Sequence, residues 1–259
     1  MYSEDRIKLL SVQEIDAIYA IPLFNKTEQA LYFELSDKEM LAAQEYRTVK
    51  AKVHFIRALG YFKAKQQLYK FNVGQNDDTQ YILGKYFDTN RPVPSGKLDF
   101  KTYLKQKNSI LTLLAYQDWL PEHEASVQSH LNGLLRIYPK GHDALRQLLI
   151  YFDHKQMVIP SYRTLQDLFT KAFATEDERL NVLITAIDES KKEQIFALIN
   201  KKDGISPLNV IRADQKNFKY TATRAEVNKS LGIIDLYDFA KQFLPSLHLS
   251  KNAIRYYAD

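Results

Sequence analysis

Apolar residues along this chain recur at steps of three and four, and runs that alternate residue by residue are few, so the pattern predicts helices almost throughout. The longest pattern runs from Thr48 to Lys70. Val49, Val53, Ile56, Gly60 and Ala64 form one row, and Phe55, Leu59 and Phe62 form a second beside it, so two sides of this helix are expected to pack, with Phe55 and Phe62 in the core. Further helices are expected at Ser11–Ala20, Lys26–Leu35, Ser36–Tyr46 and Asp77–Phe87, with Ser36 and Glu39 reading as a capping box. Asn72-Val73-Gly74 is the expected stop for the long helix. Downstream, the pattern places helices at about Asp99–Tyr116, Pro121–Tyr138, His142–His154, Ser161–Ala174 and Glu176–Asp188, with a break at Lys202–Pro207 and helix again over Thr223–Ala258. The segment Asp88–Lys97, rich in Pro and Gly, reads as a linker. The expected architecture is all-α: tandem small helical bundles with helix-turn-helix units, divided at 1–90, 91–175 and 176–259.

Charge changes the picture at the long helix. Between Glu45 and Asp77 the chain carries Arg47, Lys50, Lys52, Arg57, Lys63, Lys65 and Lys70 and no Asp or Glu. Lys50, His54, Arg57, Tyr61 and Lys65 follow one another at helical spacing up one face, while Lys52, Lys63 and Lys70 line another edge. A stripe of like charge repels itself unless something anionic lies along it, so Lys50, His54, Arg57, Lys63 and Lys65 are candidate phosphate contacts. The competing reading is a solvated basic face on a helical protein–protein interaction module.

A second candidate lies at His142–Gln166. Leu145, Leu148, Leu149 and Phe152 make one side of His142–Phe152 apolar, and Met157-Val158-Ile159-Pro160 leads from it into Ser161-Tyr162-Arg163-Thr164-Leu165-Gln166. This reads as a helix-turn-helix in which Ser161 caps the second helix. Tyr162, Arg163, Thr164 and Gln166 then occupy its first turns, where a recognition helix meets base edges. Arg suits guanine and Gln suits adenine, while Ser161 and Thr164 suit phosphates together with the helix N-terminus. The alternative is a plain helical hairpin.

Composition adds little. At 259 residues and 45% hydrophobic the chain can bury a real core; a net charge of +5 suits a nucleic-acid partner but also suits proteins that have none. Cysteine is absent, which removes disulfides and thiolate metal sites and agrees with a reducing cytoplasm. Neither a signal peptide nor a membrane span is expected. The acidic clusters Asp77-Asp78 and Glu176-Asp177-Glu178 read as helix-start charges that complement the macrodipole. His123 and His130 share a face without a third ligand, so no metal, no cofactor and no catalytic residue is expected.

The wording of the long helix adds a resemblance. Phe55 to Lys65, read as Phe-Ile-Arg-Ala-Leu-Gly-Tyr-Phe-Lys-Ala-Lys, closely resembles the motif Phe-x-Leu-Gln-Leu-Gly-Tyr-Phe-Lys-Ala-Lys near the start of the replicative transposases of the Tn-three family. Leu10-Ser11, Glu14-Ile15, Ile18-Tyr19 and Pro22 are similar to that family's opening helix, and Glu28, Leu31-Tyr32-Phe33 and Leu35 to its next. Tyr81-Ile82 with Tyr86-Phe87, and far downstream Leu244-Pro245, Leu247, Leu249-Ser250, Asn252, Ile254 and Tyr256-Tyr257-Ala258, fit as well, so the similarity covers the whole chain. Two departures stand out: Ala58 replaces the usual Gln, and the chain ends at Asp259 where the family continues, as a trimmed fragment or a naturally truncated element would. The resemblance implies a DNA-binding region that recognises terminal inverted repeats, in a bacterial, cytoplasmic setting. The implied partners are duplex DNA and the rest of a transposase chain, and a homodimer of the full-length protein is compatible with it. The three carboxylates that hold metal ions in that family lie beyond this chain's end, so none is carried over.

Overall fold

The computed structural model describes residues 7–87, 93–200, 206–212 and 220–258. The fold is all-α. Among the described residues the helices are α1 (Val12–Tyr19), α2 (Lys26–Tyr32), α3 (Asp37–Gln44), α4 (Val49–Lys65), α5 (Asp77–Tyr86), α6 (Phe100–Leu113), α7 (Glu124–Ile137), α8 (Gly141–His154), α9 (Tyr162–Thr185), α10 (Glu189–Ile199), α11 (Pro207–Arg212), α12 (Tyr220–Phe243) and α13 (Lys251–Ala258), with short 3-10 turns at Pro121–His123 and Leu244–Leu247. Extended pairing among them is limited to isolated bridges at Val73 with Gly96 and Gln117 with Met157. None of the described helices is long and apolar enough to cross a membrane.

The chain forms two compact units: one runs up to Leu131 and includes Gly141–Thr170, the other comprises Asn132–Lys140 and the residues from Lys171 on. In the first, α2, α3, α5 and α6 all pack on α4. Phe55 and Phe62 are buried as the spacing predicts, together with Phe33, Ile56, Leu59, Ile82 and Ile110. Burying each such side chain contributes about 1.5–3 kcal/mol relative to exposure. The same unit buries Leu131, Leu145, Leu148, Phe152, Leu165, Leu168 and Phe169 where α8 and the start of α9 fold back on α7.

Several boundaries differ from expectation. The core does not divide near residue 90: Val93 is buried, Val73 and Gly96 exchange backbone hydrogen bonds of 3.1 and 2.9 Å, and α6 supplies Ile110 and Leu111 to the cluster around α4. Pro and Gly mark a change of chain direction, which is separate from whether the core continues across it. The expected boundary after residue 175 falls within α9, because Ser161–Asp188 holds no Gly or Pro to interrupt it. Glu176 is therefore not at a helix start; it is buried in mid-helix and paired with Arg179 at 2.6 Å. The long helix stops at Lys65, not Lys70. Gln66 takes the left-handed conformation (φ 53°) and donates to the Phe62 carbonyl, so the chain turns before the expected Asn72-Val73-Gly74 stop. Of the break expected at Lys202–Pro207, residues 202–205 lie outside the described residues. The expected helix over Thr223–Ala258 is two helices, separated where His248 adopts φ 49°. In the second unit Ser250 Oγ donates to the Ile137 carbonyl at 3.2 Å, and Phe239 stacks on Phe243.

Candidate nucleic-acid interface

The basic face of α4 is not a solvated stripe. His54, Arg57 and Tyr61 on that face are buried, because α5 and the segment after Gln66 fold over it. The Arg57 guanidinium donates from Nε and Nη2 to Tyr61 Oη at 3.3 and 2.9 Å, and from Nη1 to Thr79 Oγ1 at 3.3 Å. It also lies 4.7 Å from the centre of the Phe71 ring. Tyr61 passes the interaction on: its hydroxyl donates to Asp78 Oδ2 at 2.6 Å, while Gln29 Nε2 donates to Oδ1 at 2.8 Å. Burial, more than any other influence, pushes the Tyr61 phenol well above its usual range, so it stays protonated and able to donate. Asp78, expected to serve the α5 macrodipole, is thus an internal acceptor for two neighbouring helices.

His54 is committed too. Gln106 Nε2 donates to the Ala51 carbonyl at 2.8 Å, which leaves Gln106 Oε1 to accept from His54 Nδ1 at 2.7 Å. The imidazole stacks on Phe71 with centroids 4.3 Å apart. Burial chiefly, and the charges of Arg57 and Lys50 in lesser part, lower its pKa to about 4, so it is neutral near pH 7.

The lysines at the ends of α4 remain partly accessible, each holding a neighbour. Lys63 Nζ reaches Glu39 and the Glu34 carbonyl, both at 2.9 Å, while Glu39 also accepts from the Ser36 N–H at 2.8 Å. Lys65 Nζ donates to the Ala20 carbonyl at 2.8 Å at the C-terminus of α1, where a cation complements the helix dipole. Lys50 Nζ reaches the Ser95 carbonyl at 3.5 Å. Gly60 is the fixed point of the motif: a Cβ there would lie 2.5 Å from Phe33 Cδ1 and 3.0 Å from the Tyr32 carbonyl, so only glycine lets α2 approach α4 this closely. The eleven-residue motif is a set of fasteners.

The α8–α9 hairpin matches its expected elements, with a connection at Lys155–Ser161 longer than the three or four residues usual between the helices of a helix-turn-helix. Ser161 Oγ accepts from the Thr164 N–H at 3.2 Å and contacts Thr164 Oγ1 at 2.9 Å, so the cap forms as expected. Tyr162 and Gln166 are otherwise engaged. Tyr162 Oη accepts from the N–H groups of Leu9 and Leu10 at 3.2 Å each, and Gln166 Nε2 donates to the Ile7 carbonyl at 3.0 Å. Both fasten the residues before α1 onto α9. The adjoining pair His142 Nε2 and Glu14 Oε1, 2.8 Å apart, ties α1 to α8; Glu14 is held down to about 2, first by the Ser11 N–H and then by His142. Arg163 is left. It is exposed in the first turn of α9, with no hydrogen bond or ion pair to a described residue.

A cluster that spacing alone does not reveal lies where the loop after α4 meets the start of α6. Through the Val73–Gly96 bridge, Lys70, Phe71 and Asn72 come beside Lys97, and with Phe100 and Tyr103 they line a cavity of about 340 Å³. His54 reaches it from α4. No Asp or Glu is among its described lining residues. The only sequence signal is that cations alternate with aromatic residues at Lys70-Phe71 and Lys97-Phe100.

Compared with known families, residues 9–172 match the one described as a domain of unknown function, DUF4158. The chain belongs to that family. The DUF4158 match runs from just before α1 into α9 and ends two residues beyond the first compact unit, so it takes in the α4 fasteners, the α8–α9 hairpin and the cavity. Among curated proteins none matches this DUF4158 chain.

Proposed function

We propose that this chain is the N-terminal DNA-binding part of a transposase resembling the Tn-three family, and that it binds duplex DNA sequence-specifically at terminal inverted repeats. The observation that carries this reading is Arg163, an exposed guanidinium with no hydrogen bond or ion pair to a described residue, in the first turn of the capped second helix of a helical hairpin. A planar fork in that position can reach guanine O6 and N7 together, and the free N–H groups of the helix start complement a phosphate. The resemblance of the α4 motif, Phe55 to Lys65, to that family's supports the setting, although its side chains are largely spent on the fold. Lys50, Lys63 and Lys65 remain accessible enough to add phosphate contacts; His54, Arg57, Tyr162 and Gln166 act by holding the surface in shape. DNA strand chemistry belongs, in this reading, to the remainder of a transposase.

The test is equilibrium binding to a transposon end and to a random duplex across a salt series. The expected result is tighter binding to the end, with affinity for both falling linearly on a logarithmic salt scale. Weak binding without salt dependence would overturn the reading in favour of a helical protein–protein interaction module.

A further inference from the structure

We propose that the cavity lined by Lys70, Phe71, Asn72, Lys97, Phe100 and Tyr103 binds a nucleotide, a planar aromatic base joined to a phosphate. Its volume, about 340 Å³, lies at the lower end of small-ligand sites. Its charge is one-sided: two lysines and no described carboxylate, an arrangement that repels itself until an anion arrives. Lys97 is exposed with no hydrogen bond or ion pair to a described residue, and Lys70 Nζ lies 5.8 Å from the centre of the Tyr103 ring, likewise with no hydrogen bond or ion pair to a described residue. Phe71, Phe100 and Tyr103 add aromatic rings to the lining, beside His54, Asn72 and Leu98. Phe100, at the edge of the cavity, is 73% exposed, so its ring is accessible to a flat partner. Phe71 lines the cavity with its ring held in place by stacking on His54, 4.3 Å between centroids. Base–aromatic stacking tolerates any base, and the Asn72 amide can donate to and accept from a base edge. The backbone bridge at Val73 and Gly96 and the left-side φ of Gly96 (125°) hold both lysine-bearing segments together before a ligand binds.

This assignment stands apart from the duplex reading, which rests on Arg163. The nucleotide can be a free one or the unpaired end of a DNA strand, and two experimental arms separate these sources. In the first, the chain is titrated with AMP, adenosine and inorganic phosphate by calorimetry. AMP is expected to bind more tightly than either half. Lys97→Ala and Phe100→Ala, both at exposed positions and expected to leave the melting temperature unchanged, should each weaken AMP about tenfold. In the second, a duplex with a short single-stranded overhang and the same duplex with blunt ends compete against AMP. Better competition by the overhang assigns the cavity to a strand end; equal competition, with AMP bound, assigns it to a free nucleotide. The proposal falls if AMP binds no better than phosphate and the overhang does not displace it, or if both variants keep full affinity for AMP.

Discussion

The Tyr61 hydroxyl stands between a buried guanidinium and a buried carboxylate, donating to Asp78 at 2.6 Å while accepting from Arg57 at 2.9 Å. Two opposite charges share one hydroxyl, so neither is left unpaired although both lie inside the protein. Removing the hydroxyl takes a partner from both at once, leaving Arg57 with Thr79 and Asp78 with Gln29. Tyr61→Phe is therefore expected to destabilise the fold by about 1–3 kcal/mol, the usual cost of leaving buried polar groups unsatisfied. Asp78→Asn should cost a similar amount. In a double-mutant cycle measured by urea unfolding, the two changes should be clearly less than additive, since each breaks the same link. Additive losses would mean that Tyr61 and Asp78 act independently.

Gly60 gives a second expectation. Alanine favours a helix interior over glycine by about 1 kcal/mol, so Gly60→Ala would stabilise α4 if space allowed. Space does not allow it. The added carbon would sit 2.5 Å from a Phe33 ring that is fully buried and wedged against Phe24 and Tyr61, with centroids 5.4 and 6.1 Å away. Overpacking costs about 1–3 kcal/mol, so the net effect is a lower urea midpoint. Combining Gly60→Ala with Phe33→Leu should recover part of the loss, which checks that the ring is the obstacle.

These two cases show what could be read from the sequence and what could not. The apolar rows of α4 were legible because burial repeats with the helical period, and Phe55 and Phe62 fall where that period puts them. Within the basic row, the burial of His54 and Arg57 is not legible, because the same period governs any face and charge gives no sign of whether its partner is solvent or another helix. Arg57 meets Tyr61 four residues on, a local relation, but Asp78 and Thr79 arrive from α5 and Phe71 from the intervening loop. Only tertiary folding brings them together. The cavity was hidden for the same reason: Lys70 and Lys97 are joined by the Val73–Gly96 bridge, across a segment whose composition reads as a linker. At the hairpin, Ser161 and Arg163 were legible from capping rules, whereas the ties from Tyr162 and Gln166 to residues 7–10 span most of the unit.

His54 makes stability depend on pH. Its folded pKa, about 4, lies below the value near 6.5 of the unfolded chain, so between these limits the unfolded chain binds more protons. Stability is full above pH 6.5 and falls as pH drops towards 4, by about 3 kcal/mol if His54 alone is counted. Urea midpoints measured from about pH 7.5 down to about 4.5, roughly the window of that shift, should decline. The decline should be shallower in His54→Gln, which takes up no proton; an unchanged slope would move the acid sensitivity to other groups.

Arg163 decides between a reading surface and a fold that merely contains a hairpin. Tyr162 and Gln166 are tied to the residues before α1, so in this reading sequence discrimination by this turn depends on Arg163, which has no hydrogen bond or ion pair to a described residue. Arg163→Ala is expected to cost about 1–3 kcal/mol on a transposon end and almost nothing on a random duplex, because a bidentate guanine contact exists only at the right base pair. Arg163→Lys should not restore it, since the ammonium keeps the charge and loses the planar fork. Stability should not change in either variant, given that the guanidinium is exposed and makes no hydrogen bond or ion pair to a described residue; this separates Arg163 from Lys63, whose loss also removes the bond to Glu39. Measuring both variants on both duplexes at one salt concentration tests the assignment. Equal weakening on the two duplexes would make Arg163 a phosphate contact, and no weakening on either would remove the α9 start from the DNA surface.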